Sequence, residues 1–157
     1  MIERSATHGT FAIERVYDAS PARVFKAWAD PEAKARWFVG PADWQLLARS
    51  IDFRIGGEEH LSGRRTDFVS TFDGFYHDIV PDQRIIYSYD MHLDQRHISV
   101  SLATVEFRPD GAGTRLIFTE QAVFLDGYDD AGGRERGTRI LLEQLGAELQ
   151  RQAGASQ

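Results

Sequence analysis

The sequence has no cysteine, and only Lys26 and Lys34 among its 18 basic residues are lysines. The absence of cysteine excludes disulfide bonds, catalysis by a thiolate and metal sites built on thiolates. The other basic residues are arginines, spread evenly along a chain with a formal net charge of -6. Nucleic acid is not an expected partner, because the chain offers no basic stripe for phosphates.

Long hydrophobic runs are also missing. No stretch approaches the roughly 20 apolar residues that cross a bilayer, and the opening segment MIERSATHGT lacks the apolar run of a signal peptide. We therefore expect no membrane association and a cytoplasmic location. With 157 residues, of which 42% are hydrophobic, the chain is expected to form a single domain over 1–157 with its core at about 10–150.

Motifs of known catalytic and cofactor sites are absent as well. The sequence contains no G-x-S-x-G elbow, no P-loop, no G-x-G-x-x-G before a helix and no HExxH. No two histidines have the i, i+2 or i, i+4 spacing of metal ligands, although His92 and His97 flank a predicted hairpin turn and could approach across it. We therefore expect no metal and no cofactor. A Ser-His-Asp set assembled from distant strands stays open.

The first part of the chain predicts one strand and two short helices. Apolar and polar residues alternate over 10–18, the pattern of a strand. Ser20-Pro21 and Asp30-Pro31 each place a capping residue before a proline, which typically opens a helix. Gly40-Pro41 ends the second helix. The two helices are expected to meet at Asp30.

A long region with period-two alternation follows, from about Trp44 to Leu125. Short turn-like breaks divide it, so neighbouring strands are expected to pair in an antiparallel meander. The predicted strands are 44–55, 58–65, 67–80, 84–94, 97–108 and 114–125.

The last helix is predicted over about 134–150, after a polar loop at 126–133. Its apolar stripe consists of Leu141, Leu142, Leu145 and Leu149, and the AGASQ tail beyond it is expected to fray. Strands followed by one amphipathic helix predict an α+β domain of two layers. A strongly curved sheet would leave room for a cavity under that helix.

The segment DFRIGGEEH, residues 52–60, contains both a bend and candidate chemistry. Ile51, Phe53 and Ile55 alternate with Asp52 and Arg54, which predicts an inward apolar set and an outward ion pair. Gly56-Gly57 is predicted to form a two-residue hairpin loop. Beyond it, Glu59 and Leu61 share one face of a strand, and Glu58 and His60 share the other. The sequence leaves open which face turns inward.

Two further strands supply candidate cavity residues. Tyr87, Tyr89 and Met91 lie on one face of a strand and fit either a solid core or the wall of a cavity. Glu120 alternates with Phe118 and is therefore predicted to face inward. An inward carboxylate is a candidate ligand-orienting or acid/base group, although its position near a strand end favours the simpler interpretation that it reaches solvent.

Five stretches occur in a characteristic order: ERVYDASPARVFKAWADPEAKARWF, DFRIGG, GFYHDIVPDQRIIYSY, GTRLIFTE and GTRILLEQL. Together they resemble the activator of heat-shock protein 90 ATPase homologue family, within the START-like (SRPBCC) superfamily, over about 10–150. The resemblance implies the helix-grip fold of the birch pollen allergen. In that fold a curved seven-stranded antiparallel sheet surrounds a long C-terminal helix, and two short helices follow strand 1.

The sequence departs from this family in two places. The family's last helix usually begins Gly-Trp, whereas this chain has Gly137-Thr138, so the cavity there is expected to be wider or filled differently. The family usually has an aromatic residue soon after Gly-Gly, where this chain has Glu58-Glu59-His60. That substitution suggests the hypothesis that His60 lies at the mouth of the cavity.

The resemblance implies that a small hydrophobic or aromatic molecule binds between the sheet and the long helix. One alternative is an enzyme of the polyketide cyclase or hydrolase type with His60 or Glu120 as acid/base. Another is a chaperone-regulating interaction domain. The resemblance is also compatible with a homodimer. We favour binding without catalysis and assign no catalytic residue. The predicted ligand-binding residues are Trp37, Phe53, His60, Phe75, Tyr87, Tyr89, Met91, Phe118, Glu120, Leu141 and Leu145.

Overall fold

One antiparallel sheet, ordered β1-β7-β6-β5-β4-β3-β2, forms most of the protein. The computed structural model describes residues 3–155. Its elements are β1 (Ala6–Tyr17), α1 (Pro21–Ala29), α2 (Pro31–Trp37), β2 (Gln45–Ile51), β3 (Glu58–Arg65), β4 (Phe68–Val80), β5 (Arg84–Leu93), β6 (Arg96–Asp110), β7 (Gly113–Leu125) and α3 (Ala131–Ala155). Sequential strands pair throughout except that β1 pairs with β7. This arrangement confirms the predicted helix-grip fold.

Capping residues start the helices where the sequence predicts. The Ser20 hydroxyl accepts a hydrogen bond from the backbone N–H of Arg23 at 3.3 Å, and the Asp30 carboxylate accepts one from Glu32 at 3.2 Å. The start of α3 lies earlier than predicted. Asp130 accepts from the N–H of Gly133 at 2.7 Å, so the helix begins at Ala131 and includes a Gly-Gly pair that resembles a loop. It continues to Ala155, and the last two residues of the predicted frayed tail lie outside the described part.

The DFRIGG segment is a six-residue connection between β2 and β3, so the predicted two-residue hairpin is wrong. The Gly56 N–H donates to the carbonyl of Tyr76 at 2.8 Å, and the Tyr76 N–H donates to the carbonyl of Gly57 at 3.0 Å. The two glycines thus attach the connection to β4. Gly56 has a φ of +85°, which favours glycine. Ile55 is exposed, contrary to expectation, whereas the ion pair of Asp52 and Arg54 is confirmed at 2.8 Å.

The long helix α3 packs its leucine stripe against the concave side of the sheet. Leu142, Leu145 and Leu149 are buried. The hydroxyl of Tyr17, at the end of β1, donates to the backbone carbonyl of Leu142 at 2.7 Å. An aromatic cluster from α1, α2 and β6 fills the end of the sheet nearest these short helices, as shown by the edge-on contact of Trp28 with Trp37 at 4.8 Å between centroids.

Glu148 ties the second half of α3 to α2. Its carboxylate accepts hydrogen bonds from Arg151 Nε at 2.9 Å, Arg36 Nε at 2.8 Å and Gln152 Nε2 at 2.8 Å. The hydrogen bond from Arg151, followed by that from Arg36, lowers the pKa of the Glu148 carboxyl to about 2. Because this pKa lies below the ordinary value of 4.5, ionised Glu148 stabilises the folded state above about pH 4.5, and that stabilisation is lost as the pH falls toward 2.

Glu148→Gln should therefore lower the free energy of unfolding by about 1–3 kcal/mol at pH 7. The difference from wild type should shrink between pH 4.5 and pH 3, because the Glu148 carboxyl becomes protonated in the unfolded wild-type chain while it stays ionised in the folded protein. Urea unfolding at several pH values measures both effects. Glu143→Gln is the matched control, since the Glu143 side chain on the same helix is 71% exposed. Parallel pH curves for wild type and Glu148→Gln would contradict the prediction.

Candidate functional site

A cavity of about 420 Å³ lies between the first half of α3, the segment that follows α2 and the concave side of the sheet. Its wall is largely apolar and rich in aromatic side chains, which come from α1, α2, the segment between α2 and β2, and strands β4, β5 and β7. They are Trp28, Trp37, Phe38, Trp44, Phe72, Tyr87, Tyr89 and Phe118.

The cavity opens between α3 and the segment that precedes β2. The exposed residues among those that line it are Pro41 on one side and Gly137 and Ile140 on the other. Arg65 also lines the cavity; its side chain is 43% exposed and pairs with Asp43 at 3.2 Å. The outermost charge at the cavity is thus in contact with solvent and already has a partner.

Two glycines create the space for Trp44, which lines the cavity. A Cβ atom on Gly63 of β3 would lie 1.8 Å from the Trp44 indole, and a Cβ atom on Gly40 would lie 2.4 Å from it. Since such distances are impossible for real atoms, the indole sits directly on the backbone at both positions. This close approach fixes one wall of the cavity.

A buried polar network closes the cavity beside α3. The Tyr89 hydroxyl donates to Glu120 Oε2 at 2.7 Å and accepts from Arg134 Nη1 at 2.9 Å. Arg134 also donates through Nη2 to Ser99 at 2.7 Å and to Asp129 at 3.2 Å. Tyr89 and Arg134 line the cavity, whereas Glu120 is completely buried and does not.

Burial has the largest effect on the pKa of the Glu120 carboxyl. Removal from water raises the pKa of its carboxyl, and the positive charge of Arg134 opposes this effect only in part. Its second oxygen, Oε1, is buried and makes no hydrogen bond with the described residues, which agrees with a weakened preference for the ionised form. The expectation that Glu120 reaches solvent is therefore wrong.

A second buried network lies near α2. Glu59 Oε1 accepts hydrogen bonds from Lys34 Nζ at 2.7 Å and from the Tyr76 hydroxyl at 2.5 Å. The Lys34 ammonium group also lies 4.5 Å from the centre of the Phe38 ring, a favourable cation–π geometry. Burial lowers the pKa of Lys34, and the nearby Glu59 opposes that shift. None of these three polar groups lines the cavity.

The structure brings six of the predicted ligand-binding residues to the cavity wall: Trp37, Tyr87, Tyr89, Met91, Phe118 and Leu141. Leu145 and Phe53 belong instead to the core, where Phe53 contacts the rings of Phe25 and Tyr76. Glu120 lies behind the wall and reaches the cavity only through its partners. Whether the wall residues bind a ligand stays a prediction.

Two predicted site residues lie on the outer face of the sheet. The register places Glu59 and Leu61 inward, so His60 points outward, where its Nδ1 atom lies 2.7 Å from Asp73 Oδ1. The hypothesis that His60 lies at the mouth of the cavity is therefore wrong. Phe75 is also outside: it is 39% exposed and packs edge-on against His77.

Lys34 and Arg134 were not among the site residues predicted from the sequence. Arg134 precedes Thr138 by four residues and Leu141 by seven, a spacing that places all three on one helical face, so its inward position could have been predicted. The approach of His92 and His97 is confirmed by stacked rings with centroids 4.7 Å apart. Residues 3–155 contain no group of three or more side chains suited to hold a metal.

The fold and the cavity under α3 agree with the comparison of the sequence with known families. The model of the Activator of Hsp90 ATPase homolog 1-like protein family matches residues 18–150. The chain belongs to this family. Proteins with this fold bind ligands in a cavity, and this chain has a cavity under α3. No helix within residues 3–155 is both long and apolar enough to cross a bilayer.

Solved structures of bacterial proteins are similar over nearly the whole chain. An uncharacterised protein from Rhizobium leguminosarum is 49% identical, with a TM-score of 0.90 over 95% of this chain and 99% of that one. Mll3558 from Rhizobium loti is 48% identical, with a TM-score of 0.85 over 92% and 99% of the two chains. CV1439 from Chromobacterium violaceum is 26% identical, with a TM-score of 0.72 over 89% and 96%. The search of curated proteins found no match.

Proposed function

We propose that this family member binds a small hydrophobic or aromatic molecule in the cavity under α3. The observation that carries the proposal is a largely apolar wall, rich in aromatic side chains, around about 420 Å³ of space, a volume within the roughly 300–1,000 Å³ typical of ligand pockets. Filling such a cavity removes apolar surface of both protein and ligand from water, which is the main source of affinity for apolar ligands.

The alternative of a cyclase or hydrolase receives less support from the geometry. His60 is on the outer face of the sheet, and Glu120 is held behind the wall by Tyr89 and Arg134. A general acid or base must come within hydrogen-bond distance of the reacting group. Neither of the two residues considered for that role lines the cavity.

N-phenyl-1-naphthylamine, an uncharged fluorescent probe, tests the proposal directly. We expect its emission to rise on binding, with a Kd on the order of 10 µM. Thr138→Trp should weaken binding at least about ten-fold. Thr138 lines the cavity at the position where the family's last helix usually carries tryptophan, so an indole there would occupy the space of the probe.

Leu102→Trp is the matched control, because Leu102 is 39% exposed on the outer face of β6 and does not line the cavity. It should bind the probe like wild type. Thermal unfolding establishes that both variants are folded. Saturable binding that Thr138→Trp leaves unchanged would contradict the proposal, as would failure of the wild-type protein to bind the probe.

A further inference from the structure

Tyr87 and Tyr89 are neighbours on the inward face of β5, and both line the cavity. Their hydroxyl groups differ. The Tyr89 hydroxyl donates a hydrogen bond to Glu120 and accepts one from Arg134. The Tyr87 hydroxyl makes no hydrogen bond with any described residue, and it is not among the side-chain atoms that are buried without a partner. Since the residue as a whole is only 5% exposed, the remaining access to its hydroxyl is from the cavity.

A hydroxyl group in an apolar wall needs a hydrogen-bond partner, because leaving it unpaired is unfavourable. Burial raises the pKa of Tyr87 well above its ordinary value, so the phenol stays protonated at physiological pH. Its proton is available for donation to whatever occupies the cavity. The complementary ligand group is a hydrogen-bond acceptor.

The charges around the cavity disfavour an anionic ligand. Arg134 is paired with Glu120 and Asp129, and Arg65 at the mouth is paired with Asp43. The nearby ammonium group of Lys34 is paired with Glu59 at 2.7 Å. An anion inside the cavity would find that both arginines lining it, Arg65 and Arg134, already have carboxylate partners, and it would have to be desolvated without a free cation in the wall.

We propose that the Tyr87 hydroxyl donates a hydrogen bond to the ligand, and that the ligand is an uncharged apolar molecule with a carbonyl or similar acceptor oxygen. This inference rests on the proposed binding function and specifies the class of molecule. It assigns the polar anchor of the cavity to Tyr87 rather than to Glu120.

Three naphthalenes of nearly identical shape separate the contributions: 2-acetylnaphthalene, its hydrocarbon counterpart 2-isopropenylnaphthalene, and 2-naphthoate. Each is titrated against the complex with N-phenyl-1-naphthylamine, whose excitation lies at longer wavelength than naphthalene absorption. For the wild-type protein we expect the ketone to bind about five- to ten-fold more tightly than the hydrocarbon, the difference that one hydrogen bond makes. 2-Naphthoate should bind most weakly.

In Tyr87→Phe the ketone and the hydrocarbon should bind with about equal affinity, because the variant lacks the hydroxyl that donates to the ketone. Tyr17→Phe is the matched control: it removes a buried hydroxyl that bonds to the Leu142 carbonyl, outside the cavity, and should preserve the ratio. The two variants should also differ in stability. Tyr87→Phe breaks no hydrogen bond within the described protein, whereas Tyr17→Phe should unfold at lower urea concentration.

The outcomes distinguish this inference from the proposed function. If the probe and the hydrocarbon bind but the ketone has no advantage, or if Tyr87→Phe keeps that advantage, the role of Tyr87 is refuted while cavity binding stands. Binding of 2-naphthoate as tight as that of the ketone would refute an uncharged ligand. If the wild-type protein does not bind the probe, the proposed function and this inference both fail.

Discussion

Lys34→Met should lower the free energy of unfolding by about 3–5 kcal/mol, the cost of leaving one partner of a buried ion pair alone. Lys34 is 2% exposed and Glu59 is 5% exposed, and their charged atoms are 2.7 Å apart. Methionine keeps the length of the lysine side chain and removes its charge. Among the described residues, the carboxylate of Glu59 would then retain the Tyr76 hydroxyl as its one hydrogen-bond donor. Urea unfolding measures the loss.

The double variant Lys34→Met, Glu59→Leu should be more stable than Lys34→Met alone. Removing both charges eliminates the need to desolvate either, and replacement of a buried pair by apolar side chains is often close to neutral. The double-mutant cycle with Glu59→Leu therefore isolates the interaction between the two residues. A double variant that loses the sum of the two single losses would show that the pair does not act as a unit.

Arg134→Met should have an effect of similar size, about 3–5 kcal/mol at pH 8. It removes the positive charge that opposes the burial of Glu120, which is completely buried, and leaves the carboxylate with neutral donors such as the Tyr89 hydroxyl. Burial already raises the pKa of Glu120 in the wild-type protein, against the opposing effect of Arg134. Without Arg134 that pKa should rise further.

The loss in Arg134→Met should therefore depend on pH. For an acid whose pKa is higher in the folded state, the folded state binds more protons, so stability falls as pH rises from the unfolded-state pKa to the folded-state pKa. The deficit of the variant should be smaller at pH 5 than at pH 8, as measured by urea unfolding at both values. Arg139→Met is the matched control on the same helix: its guanidinium is 41% exposed and pairs with Glu135, so about 0.5 kcal/mol or less is expected. Equal deficits at both pH values would contradict the explanation.

The sequence predicts local structure well because caps and periodicity act over a few residues. Ser20-Pro21 and Asp30-Pro31 open the two short helices, and the alternation from Trp44 to Leu125 is the pattern of a sheet with one buried side. Even the inward direction of Glu120 follows from its place two residues after Phe118. These features need no knowledge of distant contacts.

The position of His60 could not be obtained in this way. It depends on how the DFRIGG connection joins β2 to β3, and that geometry is fixed by hydrogen bonds to the backbone of Tyr76 in a third strand. The partners of Glu120 present the same difficulty: Tyr89 and Arg134 are 31 and 14 residues away along the chain. Periodicity shows that a side chain points inward, but it does not show which distant side chain it meets.

The three tryptophans of the sequence, Trp28, Trp37 and Trp44, all line the same cavity. Indole emission depends on local polarity and quenching, so nearly all of the protein's long-wavelength intrinsic fluorescence originates beside the space proposed for the ligand. The three tryptophans are therefore intrinsic fluorescent reporters of the cavity. A change in that emission when protein-free fractions of cell extracts are added would guide isolation of the natural ligand, with no label and no competitor, before its chemical structure has been determined.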